Sequence, residues 1–151
     1  MISIAEMMSP DRIKLELKEK KKKKVIKELA EMLGKTGIVS DSSPLIKQIL
    51  KRESMASTGI GHGIAIPHVL TDLVDQTVIT FGRSSRGVPF DSVDNRSVHL
   101  FFLIVGPSSS SGEHLKLLSK LSRLLTDESF REKLLGAETP EEVIELFRKG
   151  E

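Results

Sequence analysis

The sequence feature that most constrains the fold is the nearly all-apolar run from Val98 to Val105. Its β-branched and aromatic residues predict a strand buried on both faces. The run is far shorter than the roughly 20 residues that span a bilayer, so it indicates a core strand and not a membrane helix. Such a strand belongs to a sheet covered by helices on both sides. We expect residues 1–151 to form a single domain with one core.

Further strands and helices are predicted by the period of the apolar residues. Alternation predicts a strand over Ile13–Leu17, and β-branched residues predict another over Thr77–Phe81. The short apolar stretch Ile64–Ile66 predicts a third. Apolar stripes at helical spacing predict a helix over 20–35 and a second helix with Ser43 as its N-cap.

Three more helices are predicted in the C-terminal part of the chain, each with apolar residues at helical spacing. The first is expected to begin at Glu113. The predicted N-terminal caps are, in chain order, Ser111 or Gly112, Asp127, and Thr139. Strands mixed with helices in this order predict an α/β (α+β) fold in which helices cover both faces of the sheet.

Composition excludes several classes of site. The chain has no cysteine, so it has no disulfide, no thiolate metal site and no cysteine nucleophile. The net charge of +2 gives no general argument for nucleic acid binding. The basic run Lys18–Lys24 lacks interleaved aromatic residues and is followed by Glu28 and Glu31, so we interpret it as a solvated junction. Without a signal-peptide pattern or a membrane-spanning stretch, we expect a cytoplasmic protein with no direct membrane insertion.

The segment Arg52–His68 concentrates groups that suit phosphate. It reads Arg-Glu-Ser-Met-Ala-Ser-Thr-Gly-Ile-Gly-His-Gly-Ile-Ala-Ile-Pro-His. Pro67 restricts the backbone, so we expect the Ile64–Ile66 strand to deliver His68 at its end. An arginine fork donates well to phosphate oxygens, and open backbone N–H groups add further donors. The predicted phosphate-binding residues are Ser57, Thr58, Gly59, Gly61 and Gly63.

Other interpretations of this segment are weighed against that one. The glycine spacing G-x-G-x-G is neither the dinucleotide-binding pattern nor a P-loop, which disfavours a nucleotide site, and a tight turn alone also accounts for it. No two of the four histidines have the H-x-x-x-H spacing of common zinc enzymes, which disfavours a metal site. His62 and His99 are most simply a loop residue and a strand residue. His68 and His114 stand apart because each lies where a predicted element begins or ends.

These motifs together resemble the EIIA domains of the bacterial phosphoenolpyruvate-dependent sugar phosphotransferase system. The resemblance is to the fructose, mannitol and nitrogen-regulatory type. It runs through Arg52–His68 and continues at Gly87–Asp91, Leu100–Val105 and His114, so it covers nearly the whole chain. Residues 1–151 contain no EIIB or EIIC segment, so we expect a free-standing EIIA protein.

The resemblance implies a three-layer α/β/α sandwich around a mixed β-sheet. It also implies a phosphoryl relay, in which His68 accepts the group from HPr or an HPr-like protein and passes it to an EIIB domain. In that relay His114 is the second active-site histidine and Arg52 is the active-site arginine, and no metal or cofactor is required. Many members carry a small residue after the Pro-His pair, whereas this chain has Val69.

The chemistry of the relay explains these residue types. A neutral imidazole offers a lone pair near physiological pH. The family precedent of attachment at Nε2 requires Nδ1 of His68 to be anchored by a carbonyl or a similar acceptor. His114 is expected in the first turn of its helix, where the dipole disfavours imidazolium and favours phosphate nearby. Two other functions stay open: a regulatory protein in which phosphorylation of His68 switches partner binding, and, less favoured, a hydrolase that uses both histidines as an acid/base pair.

Overall fold

The computed structural model describes residues 2–151, and over this range the chain forms a six-stranded mixed sheet. The strands are β1 (Ile13–Lys14), β2 (Gly59–Gly61), β3 (Ile64–Ala65), β4 (His68–Thr71), β5 (Val78–Val88) and β6 (Val98–Pro107). β6 is central, with β5 antiparallel on one side and β3 and β4 parallel on the other. β1 pairs in parallel with β5, and β2 pairs antiparallel with β3 at the opposite edge.

Six α-helices in the described residues cover both faces of the sheet. They are α1 (Ile4–Met7), α2 (Lys22–Lys35), α3 (Ser42–Met55), α4 (Ser111–Leu125), α5 (Glu128–Gly136) and α6 (Pro140–Gly150). Successive residues of β6 alternate between two hydrophobic clusters. Phe102 and Ile104 pack with α1, α4, α5 and α6, whereas Phe101 and Leu103 pack with α2 and α3. The prediction of a strand buried on both faces is confirmed, and so is the three-layer α/β/α sandwich.

Two short strands share one edge of β6 and fix the position of His68. In β3, Ile64 lies opposite Leu100, and in β4, His68 lies opposite Ile104. Pro67 falls between the two strands, where its missing N–H cannot continue the ladder. The predicted strand Ile64–Ile66 therefore ends one residue early, and His68 is the first residue of β4 instead of the end of β3.

The first two long helices begin at different residues from those predicted. α2 begins at Lys22, two residues late, because the buried Glu28 carboxylate accepts hydrogen bonds from two backbone N–H groups of the preceding loop. The N-cap of α3 is Asp41 and not Ser43. The carboxylate of Asp41 accepts a hydrogen bond from the backbone N–H of Ser43 at 3.0 Å, which places Ser43 inside the helix.

In the C-terminal part, one helix start was predicted wrongly and two caps are confirmed. α4 begins at Ser111 and not at Glu113, because a 3₁₀ turn over Ser108–Ser110 runs directly into it. Its N-cap is Ser110, so the predicted cap, Ser111 or Gly112, was wrong. The side chains of Asp127 and Thr139 accept hydrogen bonds from backbone N–H groups in the first turns of α5 and α6, as predicted. None of the helices within residues 2–151 combines the length and the apolar character needed to cross a bilayer.

The strands also differ from their predicted lengths. β1 stops at Lys14, whereas the prediction ran to Leu17. β5 continues to Val88: it pairs with β6 from Val78 opposite Val105 to Arg83 opposite Leu100 and, after a shift in register, again at Val88 opposite Val98. β2 was not predicted at all, since two of its three residues are glycine and carry no apolar pattern.

Candidate active site

Three side chains that were predicted for the site lie on three separate elements and meet at one point. Arg52 comes from the last turn of α3, His68 from the start of β4 and His114 from the first turns of α4. Nη2 of Arg52 lies 3.5 Å from Nε2 of His68. The ring centroids of His68 and His114 are 5.3 Å apart, with the planes tilted by 52°.

The hydrogen bonds of His68 determine which ring nitrogen is free. Its Nδ1 lies 2.8 Å from the carbonyl oxygen of Ile66. Because a carbonyl can only accept, the proton must reside on Nδ1. Nε2 then carries a lone pair. The only hydrogen-bond partner of that nitrogen in the described residues is Nη2 of Arg52. The geometry therefore presents Nε2 as the nucleophilic atom.

Burial keeps the His68 ring neutral. Removal of solvent lowers the pKa of His68, and the nearby Arg52 guanidinium lowers it further. The hydrogen bond to Ile66 and the carboxylate of Glu53 act in the opposite direction but do not cancel the shift. The free base that can attack an electrophile is therefore the ordinary state of this ring near neutral pH.

His114 is a buried imidazole without a hydrogen-bond partner. Only 5% of its surface is exposed, and neither ring nitrogen has a partner in the described residues. Burial, together with the neighbouring His68 ring, lowers the pKa of His114 to about 4. Buried polar groups are nearly always hydrogen-bonded, so the unpaired ring of His114 has both nitrogens available to a group placed next to His68.

We expect His114 to make the fold sensitive to acid. Its pKa of about 4 in the folded protein lies below the ordinary value of 6.5, so the unfolded chain binds a proton that the folded chain excludes. The stabilisation is complete above the unfolded pKa and is lost as the pH falls from there towards the folded pKa. The full loss from this ring is about 3 kcal/mol.

Urea unfolding of the wild type and of His114→Leu checks this expectation. Between about pH 7 and about pH 4 the wild type should lose more stability than the variant, by the amount attributed to His114. The comparison cancels carboxylates that titrate in both proteins, such as Glu28. Equal losses of stability in the two proteins would show that His114 takes up its proton as readily in the folded protein as in the unfolded chain.

Two hydroxyls predicted to bind phosphate are occupied elsewhere. Oγ of Ser57 donates to the carbonyl oxygen of Phe90 at 2.7 Å. The backbone N–H and Oγ1 of Thr58 donate to the carboxylate of Glu53 at 2.7 and 2.6 Å. These bonds tie the segment before β2 to the rest of the structure, so neither hydroxyl is free beside His68.

The glycines form a hairpin turn and are not gathered around His68. Gly61 and Gly63 have positive φ angles of 94° and 76°, which turn the chain from β2 into β3. The carbonyl oxygen of Gly63 accepts from the backbone N–H of His99, whereas His68 pairs with Ile104. Five residues along a strand correspond to roughly 16 Å, so Gly61 and Gly63 lie towards the other end of the sheet.

Gly59 is not open to a ligand either. A Cβ at this position would clash with Oγ of Ser92, so glycine is needed here for close packing against the Ser92 loop. The predicted cradle of Ser57, Thr58 and the three glycines is therefore not assembled at His68. The glycine-rich part of the segment is a structural hairpin, which is the alternative that the spacing left open.

A groove of about 360 Å³ opens beside Arg52, with Val69, Leu73 and Met55 among its lining residues. Val69 is half-buried and packs against the core beneath α2 and α3. Met55 and Leu73 expose 71% and 39% of their surfaces. The surface next to the histidine pair is therefore concave and partly apolar, as a surface that receives another protein often is.

Sequence reasoning missed one charged group beneath the site. Glu53 is only 6% exposed and accepts a salt bridge from Lys22 of α2 at 3.0 Å. A signal was present, because Glu53 follows Leu45 and Ile49 at intervals of four residues and so continues the buried face of α3. A carboxylate on an apolar helix face indicates a partner in the interior.

The family is settled by comparison with known sequences. A family model described as "Phosphoenolpyruvate-dependent sugar phosphotransferase system, EIIA 2" matches residues 6–150. The chain belongs to this family. The resemblance seen in Arg52–His68 is thereby confirmed for almost the full length.

Two curated relatives of the EIIA family carry fructose-specific names. The fructose-specific EIIABC component of Bacillus subtilis (strain 168) is 40% identical over 148 residues, which cover 98% of this chain. The chain spans only 23% of the length of that relative. The fructose-specific EIIA component of Haloferax volcanii is 40% identical over 135 residues, covering 89% of this chain and 88% of the relative.

Two solved EIIA structures share the architecture. The nitrogen regulatory protein IIA-Ntr from Neisseria meningitidis superposes with a TM-score of 0.89 at 32% identity, over 95% of this chain and 98% of the other. The Escherichia coli complex of enzyme IIAMtl with phosphorylated enzyme IIBMtl gives a TM-score of 0.79 at 28% identity, over 93% and 96% of the chains.

Proposed function

We propose that this protein is a phosphohistidine carrier of the phosphotransferase system, with Nε2 of His68 as the acceptor. The observation that carries this proposal is the 2.8 Å hydrogen bond from Nδ1 to the Ile66 carbonyl, which leaves the Nε2 lone pair facing Arg52. The donor is phospho-HPr or an HPr-like protein, and the acceptor is an EIIB domain. The protein is accordingly a transferase-type component, a histidine phosphotransferase.

The proposed step exchanges one phosphorus–nitrogen bond for another. The Nε2 lone pair of His68 bonds to phosphorus while the bond from phosphorus to the donor's histidine nitrogen breaks, and that nitrogen keeps its electron pair. Arg52 donates hydrogen bonds to the phosphoryl oxygens in the transition state of transfer. His114 contacts the same oxygens through one ring N–H without carrying the group. Onward transfer repeats these roles with the acceptor group of EIIB as nucleophile.

The proposed partners are supported by the surface and by the relatives. The groove lined by Met55 and Leu73 gives a protein donor or acceptor an apolar contact next to Arg52. The Escherichia coli IIAMtl structure is a complex with phosphorylated IIBMtl. We further propose that residues 1–151 act as a single EIIA domain and that the protein works in the cytoplasm, together with its donor.

Labelling with phosphoenolpyruvate tests the proposal. Incubation with phosphoenolpyruvate, Enzyme I and an HPr-type donor should phosphorylate the protein on a site that is acid-labile and stable to alkali, as a phosphoramidate is. Phosphopeptide mapping should place the group on the peptide that contains His68. Addition of an EIIB domain should then discharge the label. A label on serine, or on the peptide that contains His114, would refute the assignment.

A second function is favoured by one comparison. The Neisseria meningitidis structure, named a nitrogen regulatory protein, superposes with a TM-score of 0.89. In this alternative, phosphorylation of His68 switches the binding of a regulatory target and the group is not passed on. The two functions share the site and differ in the fate of the label. Rapid discharge to EIIB supports the carrier, and a stable label with altered partner binding supports the regulator.

A further inference from the structure

A buried carboxylate lies directly beneath the histidine pair and has no part in the proposed transfer. Glu53 follows Arg52 in α3 but points inwards, with 6% of its surface exposed. Three donors converge on its two oxygens. They are the backbone N–H of Thr58 at 2.7 Å, Oγ1 of Thr58 at 2.6 Å and Nζ of Lys22 at 3.0 Å.

An interior ion pair of this kind adds little to the stability of a fold. Removing two charges from water is costly, and well-packed apolar residues often stabilise a protein as well or better. The three interactions of Glu53 are directional, however. They join its carboxylate to Nζ of Lys22 on α2 and to both donors of Thr58. That directedness is what a carboxylate offers and an apolar side chain does not.

Thr58, which Glu53 holds, is connected to His68 by two hydrogen bonds that both use the backbone of Ile66. The carbonyl oxygen of Thr58 accepts from the backbone N–H of Ile66 at 3.0 Å. The carbonyl oxygen of the same Ile66 accepts from Nδ1 of His68 at 2.8 Å. The position of the carbonyl that fixes the His68 tautomer therefore depends on the position of Thr58, which depends on Glu53.

We infer that Glu53 is a positioning residue, which acts through Thr58 and Ile66 to hold His68 in the Nδ1–H tautomer and so keeps Nε2 nucleophilic. The inference rests on the proposed function for its consequence in transfer. Its structural half, the tautomer, does not depend on that function. The charges that face His68 are Arg52 and Glu53 from α3, with neutral His114 from α4.

Substitution Glu53→Gln is the test. An amide offers one acceptor oxygen in place of two, so it cannot satisfy all three donors. We expect ¹⁵N NMR of the ring nitrogens to show Nε2 of His68 unprotonated in the wild type and shifted towards the protonated range in the variant. Phosphoryl acceptance from the HPr-type donor should slow by about tenfold.

The matched control is Asp91→Asn. Asp91 is the other carboxylate near Lys22, at 3.6 Å, but its side chain is 86% exposed and it does not touch Thr58. Its φ of 54° is one that asparagine tolerates. This variant removes a negative charge from the same lysine and should leave both the ring spectrum and the rate as in the wild type.

If Glu53→Gln does not fold, the pair Thr58→Val and Thr58→Ser replaces it. Valine keeps the shape and loses the hydroxyl bond to Glu53, whereas serine retains it, so valine should shift the tautomer and serine should restore it. An unchanged His68 tautomer in the folded variant overturns the inference, and so does a shifted tautomer with an unchanged rate. The ring spectrum is recorded without any donor, so it can fail or succeed separately from the labelling of His68.

Discussion

The His68→Ala protein is expected to take up no phosphoryl group while remaining folded. Alanine removes the ring nitrogen whose lone pair faces Arg52, and the His114 ring is too deeply buried to meet a protein donor directly. The fold should survive because His68 is only half-buried and makes two hydrogen bonds, to the Ile66 carbonyl and to Arg52, each worth about 1 kcal/mol. Labelling with ³²P and a thermal unfolding curve measure the two halves of this prediction.

Two further variants sharpen the His68 experiment. His68→Asn places an amide N–H near the former Nδ1, so it can still donate to the Ile66 carbonyl but has no nucleophilic ring nitrogen; it should be unlabelled and as stable as the wild type. His62→Asn is the control, since it removes an exposed histidine from the same segment at a positive φ of 55° that asparagine tolerates. It should be labelled normally. Full labelling of folded His68→Ala would exclude His68 as the carrier.

The parts of the fold that could be predicted are those with long, regular patterns. Val98–Val105 had no alternative to a buried strand, and the caps Asp127 and Thr139 followed from local side-chain chemistry. The shortest elements could not be predicted in the same way. β2 and β3 have three and two residues, and they are strands only because β3 pairs with the edge of β6 and β2 pairs in turn with β3.

In the candidate site, too, some features could be predicted from the sequence and others could not. The sequence motif placed Arg52 and His68 in one short stretch, and the end-of-element rule selected His114. The motif did not show which atoms of this stretch face the ligand. Ser57 and Thr58 have the right chemistry for phosphate, but their donors are used by Phe90 and Glu53, which are fixed by the tertiary structure. Motif composition predicts the residues of a site better than it predicts their hydrogen bonds.

The ion pair between Glu53 and Lys22 illustrates why hydrogen bonds and ion pairs are harder to predict than residues. Lys22 lies in the basic run at the start of α2, which the sequence presents as a solvated junction. That interpretation holds for most of the run, but Lys22 turns inwards and lies over the ring of Phe90, at 4.6 Å from its centroid. Only the packing of α2 against α3 separates this lysine from its exposed neighbours.

The largest effect expected from a residue that does not carry the phosphoryl group belongs to Arg52. In Arg52→Ala, transfer should slow by about a hundredfold, which is the order of the loss when one preorganised donor to a developing oxyanion is removed. Arg52→Lys should fall between the alanine variant and the wild type, because an ammonium keeps the charge but loses the planar fork. Single-turnover transfer from a phosphorylated HPr-type donor at saturating donor concentration measures the step.

The structure also predicts which step Arg52 affects. Nη2 of Arg52 lies 3.5 Å from the atom that receives the group, while Nη1 donates to the carbonyl oxygen of Ala56 at 3.2 Å. One half of the guanidinium is thus anchored and the other half faces the reaction, so the loss should appear in the transfer rate more than in donor affinity. Lys47→Ala, which removes a charge from an exposed position of the same helix, should leave the rate unchanged. A rate in Arg52→Ala equal to that of Lys47→Ala would remove Arg52 from the site.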